Sequence, residues 1–371
     1  MKTLLIALPN DKLGGAELYL KNIANFYLSS GYSVFVLFLL REKYYGWSDY
    51  KAIENSSLIY TNSSSEKFGL FSFIKSLWCL RRLNFDYVYT SHVHLTGIIG
   101  LFVKLKILNK QYFIGRESTL IFERFSGFKL FLFKLFINLG YSELDLLICQ
   151  TFMMEKQFVI NQPRLSKKIK IRTIFNPINL ESIDLRMYSE AVCYENFIVA
   201  AGRLIPEKGF DVLINAFSKL HSDFPNLKLV ILGEGKCSGL LESQIFDLKL
   251  FNSVYLHGFV KNVYPYFSAA KLCVVSSRIE GFPNVLLQMM SQNNSVVSTK
   301  CAGGIDEIKG LFLSETNSAE SLYTAMKNCL LFERKSIIRN LFDRELEGRS
   351  VFNFINTINN EVLSSTNKWN L

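Results

Sequence analysis

Short apolar runs recur along this chain, separated by longer stretches in which apolar positions return every three to four residues. The first run, Leu4–Leu8, leads into a glycine-containing loop, Asn10–Gly15, and then a helical pattern from about Ala16 to Ser29. Gly31 precedes a second strand at Ser33–Leu40, and further strands are expected at Tyr87–Ser91, Tyr112–Ile114, Leu146–Cys149 and Ile169–Ile174. Apolar strands alternating with amphipathic helices predict a mainly parallel sheet covered by helices. The polar stretch Thr61–Lys67 reads as a surface loop.

Asn176-Pro177-Ile178-Asn179 closes this series, because Pro177 holds Asn176 away from helical geometry; the acidic, polar run through Glu195 reads as a linker. A second series follows, with strands expected at Phe197–Ala200, Lys228–Leu232, Val254–His257, Leu272–Val275, Ser295–Ser298 and Leu311–Leu313. Helices are expected over Phe210–His221, Cys237–Asp247, Val263–Ala269 and Val285–Ser291, with more beyond Ser318. The expected fold class is therefore α/β, with two doubly wound Rossmann-like domains facing each other across a cleft. The expected boundaries are 1–180, 181–345 and a C-terminal helix within 346–371 that returns toward the first domain.

Composition fits a well-buried globular chain: 371 residues, 49% hydrophobic and 14% aromatic, which excludes disorder as the general state. The net charge of +10 is unevenly spread. Residues 1–180 hold 23 Lys and Arg against 12 Asp and Glu, whereas the remainder holds 19 against 20. The first half is thus expected to face something anionic. No zinc-finger spacing, arginine-rich helix or RNP-like strand points to nucleic acid. Basic residues interleaved with apolar ones point instead to an anionic membrane surface, most clearly in Ile98–Lys110 and Phe125–Leu139. Either stretch also fits an internally packed amphipathic helix. Neither is long enough to span a bilayer, and Leu4–Leu8 is too short for a signal-peptide core, so a cytoplasmic, peripheral location is expected. Seven scattered cysteines without CxxC spacing read as reduced thiols, with no zinc site.

Candidate chemistry gathers in loops at the carboxyl ends of strands. Gly14 and Gly15 allow close backbone approach to a phosphate or sugar, or simply form a tight turn before a helix capped by Glu17. Arg203 and Lys208, bracketed by Gly202 and Gly209, suit a diphosphate, with an ion pair to Glu207 as the alternative. Glu280 suits sugar hydroxyls, or else serves as a charge near a helix start. Gly281, Phe282, Pro283, Asn284 and Val285 would mould the backbone around a ligand, and Gln288 lies two helical turns beyond Glu280. Gly303-Gly304 opens another glycine loop before an expected helix carrying Asp306 and Glu307. In the first half, His92 and His94 are candidates to bond a sugar, with His94 favoured as a catalytic group and a structural role open for both. Arg116 is an acceptor-side candidate for a phosphate, or a local partner of Glu117.

Taken together, Gly14-Gly15-Ala16-Glu17, Asn176-Pro177-Ile178, Gly202-Arg203-Leu204 through Lys208-Gly209, Leu232-Gly233-Glu234-Gly235, Gly258-Phe259 and Glu280-Gly281-Phe282-Pro283-Asn284-Val285 give a strong resemblance. The chain resembles the retaining glycosyltransferases of family 4, with the GT-B fold, of the bacterial surface-polysaccharide type. The resemblance implies an acceptor-binding first domain and a nucleotide-sugar-binding second domain. It assigns Arg203 and Lys208 to the donor diphosphate, Glu280 to the transferred sugar, and Gly14-Gly15 to closure near the donor. The wall around the base is implied at Gly258, Phe259 and Val260. It also implies front-face transfer from a nucleotide diphosphate sugar, expected to be a UDP-sugar. No acidic metal-binding pair appears, so no cofactor or metal is expected, and the basic, aromatic-rich first half points to a lipid-linked saccharide as acceptor. O-antigen, capsule or related polysaccharide assembly is the expected setting.

One position departs from the family pattern. Where a second glutamate usually grips the ribose, this chain has Gln288, an amide with a single acceptor oxygen. An inactive nucleotide-sugar-binding protein of the same fold is therefore the alternative reading.

Overall fold

The computed structural model describes residues 1–180 and 192–366. The chain divides into two compact units, one formed by 1–177 together with the segment from Val351, the other by Ile178–Ser350.

The first unit is built on a seven-stranded parallel sheet. Its strands are β1 (Thr3–Leu8), β2 (Ser33–Phe38), β3 (Ser56–Tyr60), β4 (Asn84–Thr90), β5 (Asn109–Glu117), β6 (Leu146–Cys149) and β7 (Ile171–Thr173), in the order β3-β2-β1-β4-β5-β6-β7. The order reverses beside β1, which places the loops after β1 and β4 at the switch point where open α/β sheets bind ligands. Leu4–Leu8 is fully buried, as expected of a strand covered on both faces. The helix Val351–Thr366 belongs to this unit: Phe354, Ile355, Ile358 and Val362 pack in the same cluster as Leu4, Ile6, Tyr19 and Ile23.

The second unit carries a six-stranded parallel sheet, β10-β9-β8-β11-β12-β13. Its strands are β8 (Phe197–Ala201), β9 (Lys228–Leu232), β10 (Val254–Gly258), β11 (Leu272–Val275), β12 (Val296–Thr299) and β13 (Phe312–Ser314). Apolar layers on the two faces of the sheet, one around Met289, Met290 and Phe267 and the other around Leu213, Phe217 and Met326, enclose it. Two doubly wound parallel-sheet units are what the strand and helix pattern predicts, and they are those of the GT-B fold that the family resemblance implies.

Several local expectations need correction. Strand β3 occupies a segment that had no strand signal, because an edge strand led by Ser56 and Ser57 carries little apolar alternation. Ile98–Lys110 is not one helix. The helix Val93–Lys104 ends there, Lys106 takes a left-handed turn at φ 56°, and Lys110 lies on β5, ion-paired with Asp145. Thr61 is buried, its hydroxyl donating to the Leu39 carbonyl, and a helix begins at Glu66. No helix follows Gly303-Gly304; turns lead instead into β13. Most of the expected linker, 181–191, lies outside the described residues, as do residues from 367 onward.

Candidate functional site

In the second unit, two loops at the carboxyl edge of the sheet are locked together. The loop after β8 runs from Gly202 to Gly209, and the loop after β11 runs from Ser276 to Pro283. The Arg278 guanidinium donates to both carboxylate oxygens of Asp211 (2.8 and 2.5 Å), to the Pro206 carbonyl (2.5 Å) and to Asn317 (2.6 Å). Its backbone N–H bonds the Glu207 carbonyl at 2.7 Å, and the Ser276 hydroxyl donates to the Lys208 carbonyl at 2.9 Å. The hydrogen bond from Arg278 holds the Asp211 carboxyl below its ordinary range. Gly209 sits at φ 61°, where a Cβ would overlap the Ser276 carbonyl, so glycine is required by both conformation and space.

That scaffold brings Lys208 and Glu280 together, with Nζ and Oε1 2.5 Å apart and both side chains largely buried. Ser277 donates to the same carboxylate oxygen at 2.8 Å, and the Glu280 N–H bonds the Cys301 carbonyl at 2.8 Å. The alternative pairing of Lys208 with Glu207 is replaced by this one. Arg203 is exposed, and its guanidinium has no hydrogen-bond or ion-pair partner among the described residues. Gly281 follows, then buried Phe282 and Pro283, with Asn284 and Val285 opening the helix Asn284–Gln292. One turn on, the Gln288 amide donates to the Tyr264 hydroxyl at 3.3 Å, which orients its carbonyl oxygen. Gly258 and Val260 flank exposed Phe259 after β10, and the Phe259 N–H bonds Glu234 at 3.4 Å. Arg349, which carried no signal in the sequence, lies with its guanidinium 4.9 Å from the Phe282 ring and bonds Glu345 at 2.6 Å.

In the first unit, Gly14 precedes the helix Gly15–Ser29 and its carbonyl accepts from Leu18. Glu17, in the first turn, lies 3.3 Å from His92 Nε2. Burial pushes the Glu17 carboxyl up, but the His92 contact and nearby amides outweigh it and leave the carboxyl lowered. His94 is held differently. Burial, with a smaller effect from His92, lowers it to about 4, and its ring lies edge-on to Phe136. It is therefore neutral near pH 7, which removes it as a donor of a positive charge.

Arg116 is not on the surface. It is 4% exposed, donates to Ser91 (3.0 Å) and Asn176 (2.8 Å), and lies 4.0 Å over the Tyr19 ring. Its expected role toward an acceptor phosphate is replaced by an internal one, and it does not hydrogen-bond Glu117. The network continues from Asn176 to Gln150 at 2.9 Å and from Gln150 to the Glu117 carbonyl at 2.8 Å, while Tyr141 donates to the Glu117 carboxylate at 2.8 Å. Asp11, also missed in the sequence, is fully buried and accepts from the N–H groups of Lys43, Tyr44 and Tyr45, the last at 2.8 Å. It ties the loop after β1 to the loop after β2. Among the described residues no group of three His, Cys, Asp or Glu side chains is arranged to hold a metal, and no helix is long and apolar enough to cross a membrane.

The fold and these loops define the class: a GT-B protein with a charged strand-end site in its second unit. Comparison with known proteins agrees. Residues 195–331 match the family described as glycosyl transferases group 1. An uncharacterized glycosyltransferase of Methanocaldococcus jannaschii is 27% identical over 317 residues, covering 79% of this chain and 77% of the relative. The N-acetylgalactosamine-N,N'-diacetylbacillosaminyl-diphospho-undecaprenol 4-alpha-N-acetylgalactosaminyltransferase of Campylobacter jejuni is 32% identical over 201 residues, covering 53% of this chain and 54% of the relative. Among solved structures, Anabaena HepE in complex with UDP and glucose superposes with a TM-score of 0.78 at 20% identity, covering 98% of this chain and 100% of that one.

Proposed function

We propose that the chain is a retaining, metal-independent glycosyltransferase that moves a hexose or N-acetylhexosamine from a UDP-sugar to a lipid-linked saccharide at a membrane surface. The observation that carries the reading is the Lys208–Glu280 pair, held by two loops fastened to each other through Arg278. A cation and a carboxylate fixed side by side match a donor whose diphosphate and sugar hydroxyls are adjacent. Similarity to the Campylobacter enzyme, whose name gives a diphospho-undecaprenol saccharide as acceptor, supports the lipid-linked acceptor.

In the proposed step, the acceptor hydroxyl oxygen bonds the anomeric carbon on the face from which the diphosphate departs. The carbon–oxygen bond to the diphosphate breaks with its electron pair, and the departing oxygen takes the hydroxyl proton. Lys208 and Arg203 stabilise the charge that develops on the leaving group. Glu280 releases part of its hold on Lys208 to orient sugar hydroxyls. His92, tied to Glu17, is the imidazole proposed to face the acceptor side; His94, its ring 6.1 Å from that of His92, stays neutral.

The test is transfer to membrane-extracted lipid-linked sugars, with labelled UDP-, GDP- and ADP-sugars, in EDTA, read as a mass-shifted lipid. A shift with one UDP-sugar that disappears in Glu280→Ala supports the proposal. Tight binding of a nucleotide sugar with no shift from any donor, by a folded protein, supports the inactive binding protein instead.

A further inference from the structure

The helix Gly127–Gly140 presents an apolar stripe to solvent: Phe128 is 75% exposed, Phe131 60% and Leu135 50%. These positions repeat at three and four residues, so they share one face. The opposite face is fixed. A Cβ on Gly97 would overlap the Phe136 carbonyl, and one on Gly100 would overlap the carbonyl of Gly140, so this helix and Val93–Lys104 run backbone to backbone. The pairings 97 with 136 and 100 with 140 advance together, which makes the two helices parallel. Val93 marks the carboxyl edge of the sheet, directly after β4. At about 1.5 Å per residue, Phe128 overhangs that edge by roughly one turn, and Phe131 lies close to level with it.

Charge decides what covers the stripe. From Gly127 to Gly140 the helix has Lys129 and Lys134 and no acidic residue, with Arg124 just before it. Lys129 Nζ sits 4.3 Å from the Phe125 ring, and the Phe128 and Phe131 rings stack at 6.3 Å. A second copy of the chain laid on this face would bring like charges together. An anionic bilayer accepts both the rings and the lysines.

We infer that the face of Phe128, Phe131 and Leu135, flanked by Lys129 and Lys134, is the surface by which this protein docks on anionic lipid. The inference rests on the membrane-surface reading above and narrows it to one helix face. A rigid helix overhanging the strand ends would set the carboxyl edge of the first unit at the headgroup level, where a lipid-linked saccharide begins.

The test is flotation of the full chain with vesicles of phosphatidylcholine alone, or mixed with phosphatidylglycerol. Binding is expected to the mixed vesicles only. Phe128→Ser/Phe131→Ser should weaken it at least about tenfold, and Lys129→Gln/Lys134→Gln about fivefold per lysine with a flatter salt dependence. Because all four side chains are exposed, circular dichroism melts should match the parent. In a separate variant, Phe131→Trp, emission should shift blue on adding mixed vesicles and be quenched by brominated lipid. Equal binding to neutral vesicles, unchanged binding by the double Phe variant, or no quenching would overturn the inference. So would a dimer in light scattering that the double Phe variant abolishes. Vesicle binding requires no sugar; binding retained without any transfer would refute the enzyme reading alone.

Discussion

Glu117 ends β5 with its carboxylate buried under Tyr141, and burial raises it to about 7 despite the Tyr141 hydrogen bond and the Arg116 charge. An acid whose folded value lies above its unfolded value keeps its proton longer in the folded state. Its unfavourable contribution is absent below about pH 4.5, grows as pH rises toward 7, and is constant above. Glu117→Gln keeps an acceptor for Tyr141 and removes the titration. The variant is therefore expected to gain stability over the parent between pH 5 and pH 8, by on the order of 2–3 kcal/mol, read from urea midpoints at the two values. An unchanged difference across that range would show that Glu117 ionises normally. In the second unit, Gln288→Glu should accept from Tyr264 and restore a charged acceptor, tightening UDP binding about fivefold by calorimetry with little change in melting temperature. Lys208→Met should lower kcat/KM for transfer about 100- to 1000-fold, the usual scale for losing a group that meets developing charge.

At the scale of elements, the loops after β8 and β11 act as one piece because Arg278 reaches Asp211, Pro206 and Asn317 at once. Arg278→Met removes every one of those bonds while leaving the aliphatic stem. It should raise the donor KM about tenfold more than it lowers kcat, since Lys208 and Glu280 remain but lose their spacing. A loss confined to kcat would argue that the loops are positioned without Arg278. Much of this arrangement was legible in the chain. The buried runs of β1, β6, β8, β9 and β11 and the glycine-bracketed loops announce themselves locally, by composition and by the turn chemistry of Gly209. The network of Arg116, Asn176, Gln150 and Glu117 did not, because its members are up to 60 residues apart and a charged residue gives no local sign that it will be buried. Asp11 escaped for the same reason: its amide partners lie more than 30 residues away, and a polar loop reads as solvated until the second loop is folded against it.

At the scale of the whole molecule, the two units differ in how the chain enters and leaves them. The second unit is one continuous stretch, Ile178–Ser350, and its ends meet: the Ile178 N–H bonds the Arg349 carbonyl at 2.9 Å, and Ile178 bridges to Ser350. Arg349 also lies against Phe282, so closing the ends of the unit supports the loop that carries Glu280. The first unit is discontinuous. Its core includes Phe354, Ile355, Ile358 and Val362 from the helix Val351–Thr366, which Lys170 and Arg172 also hold through Glu361. A fragment spanning 178–350 is accordingly expected to melt cooperatively and to bind UDP within about tenfold of the full chain. A fragment ending at Pro177 leaves the surface beneath four buried apolar side chains uncovered, at about 1.5–3 kcal/mol for each, a large share of the stability of a domain. It should aggregate or melt without a sharp transition, and a peptide of residues 351–366 added in trans should restore one. A fragment 1–177 that melts as sharply as the full chain, with no response to the peptide, would show that the returning helix is dispensable to the first unit.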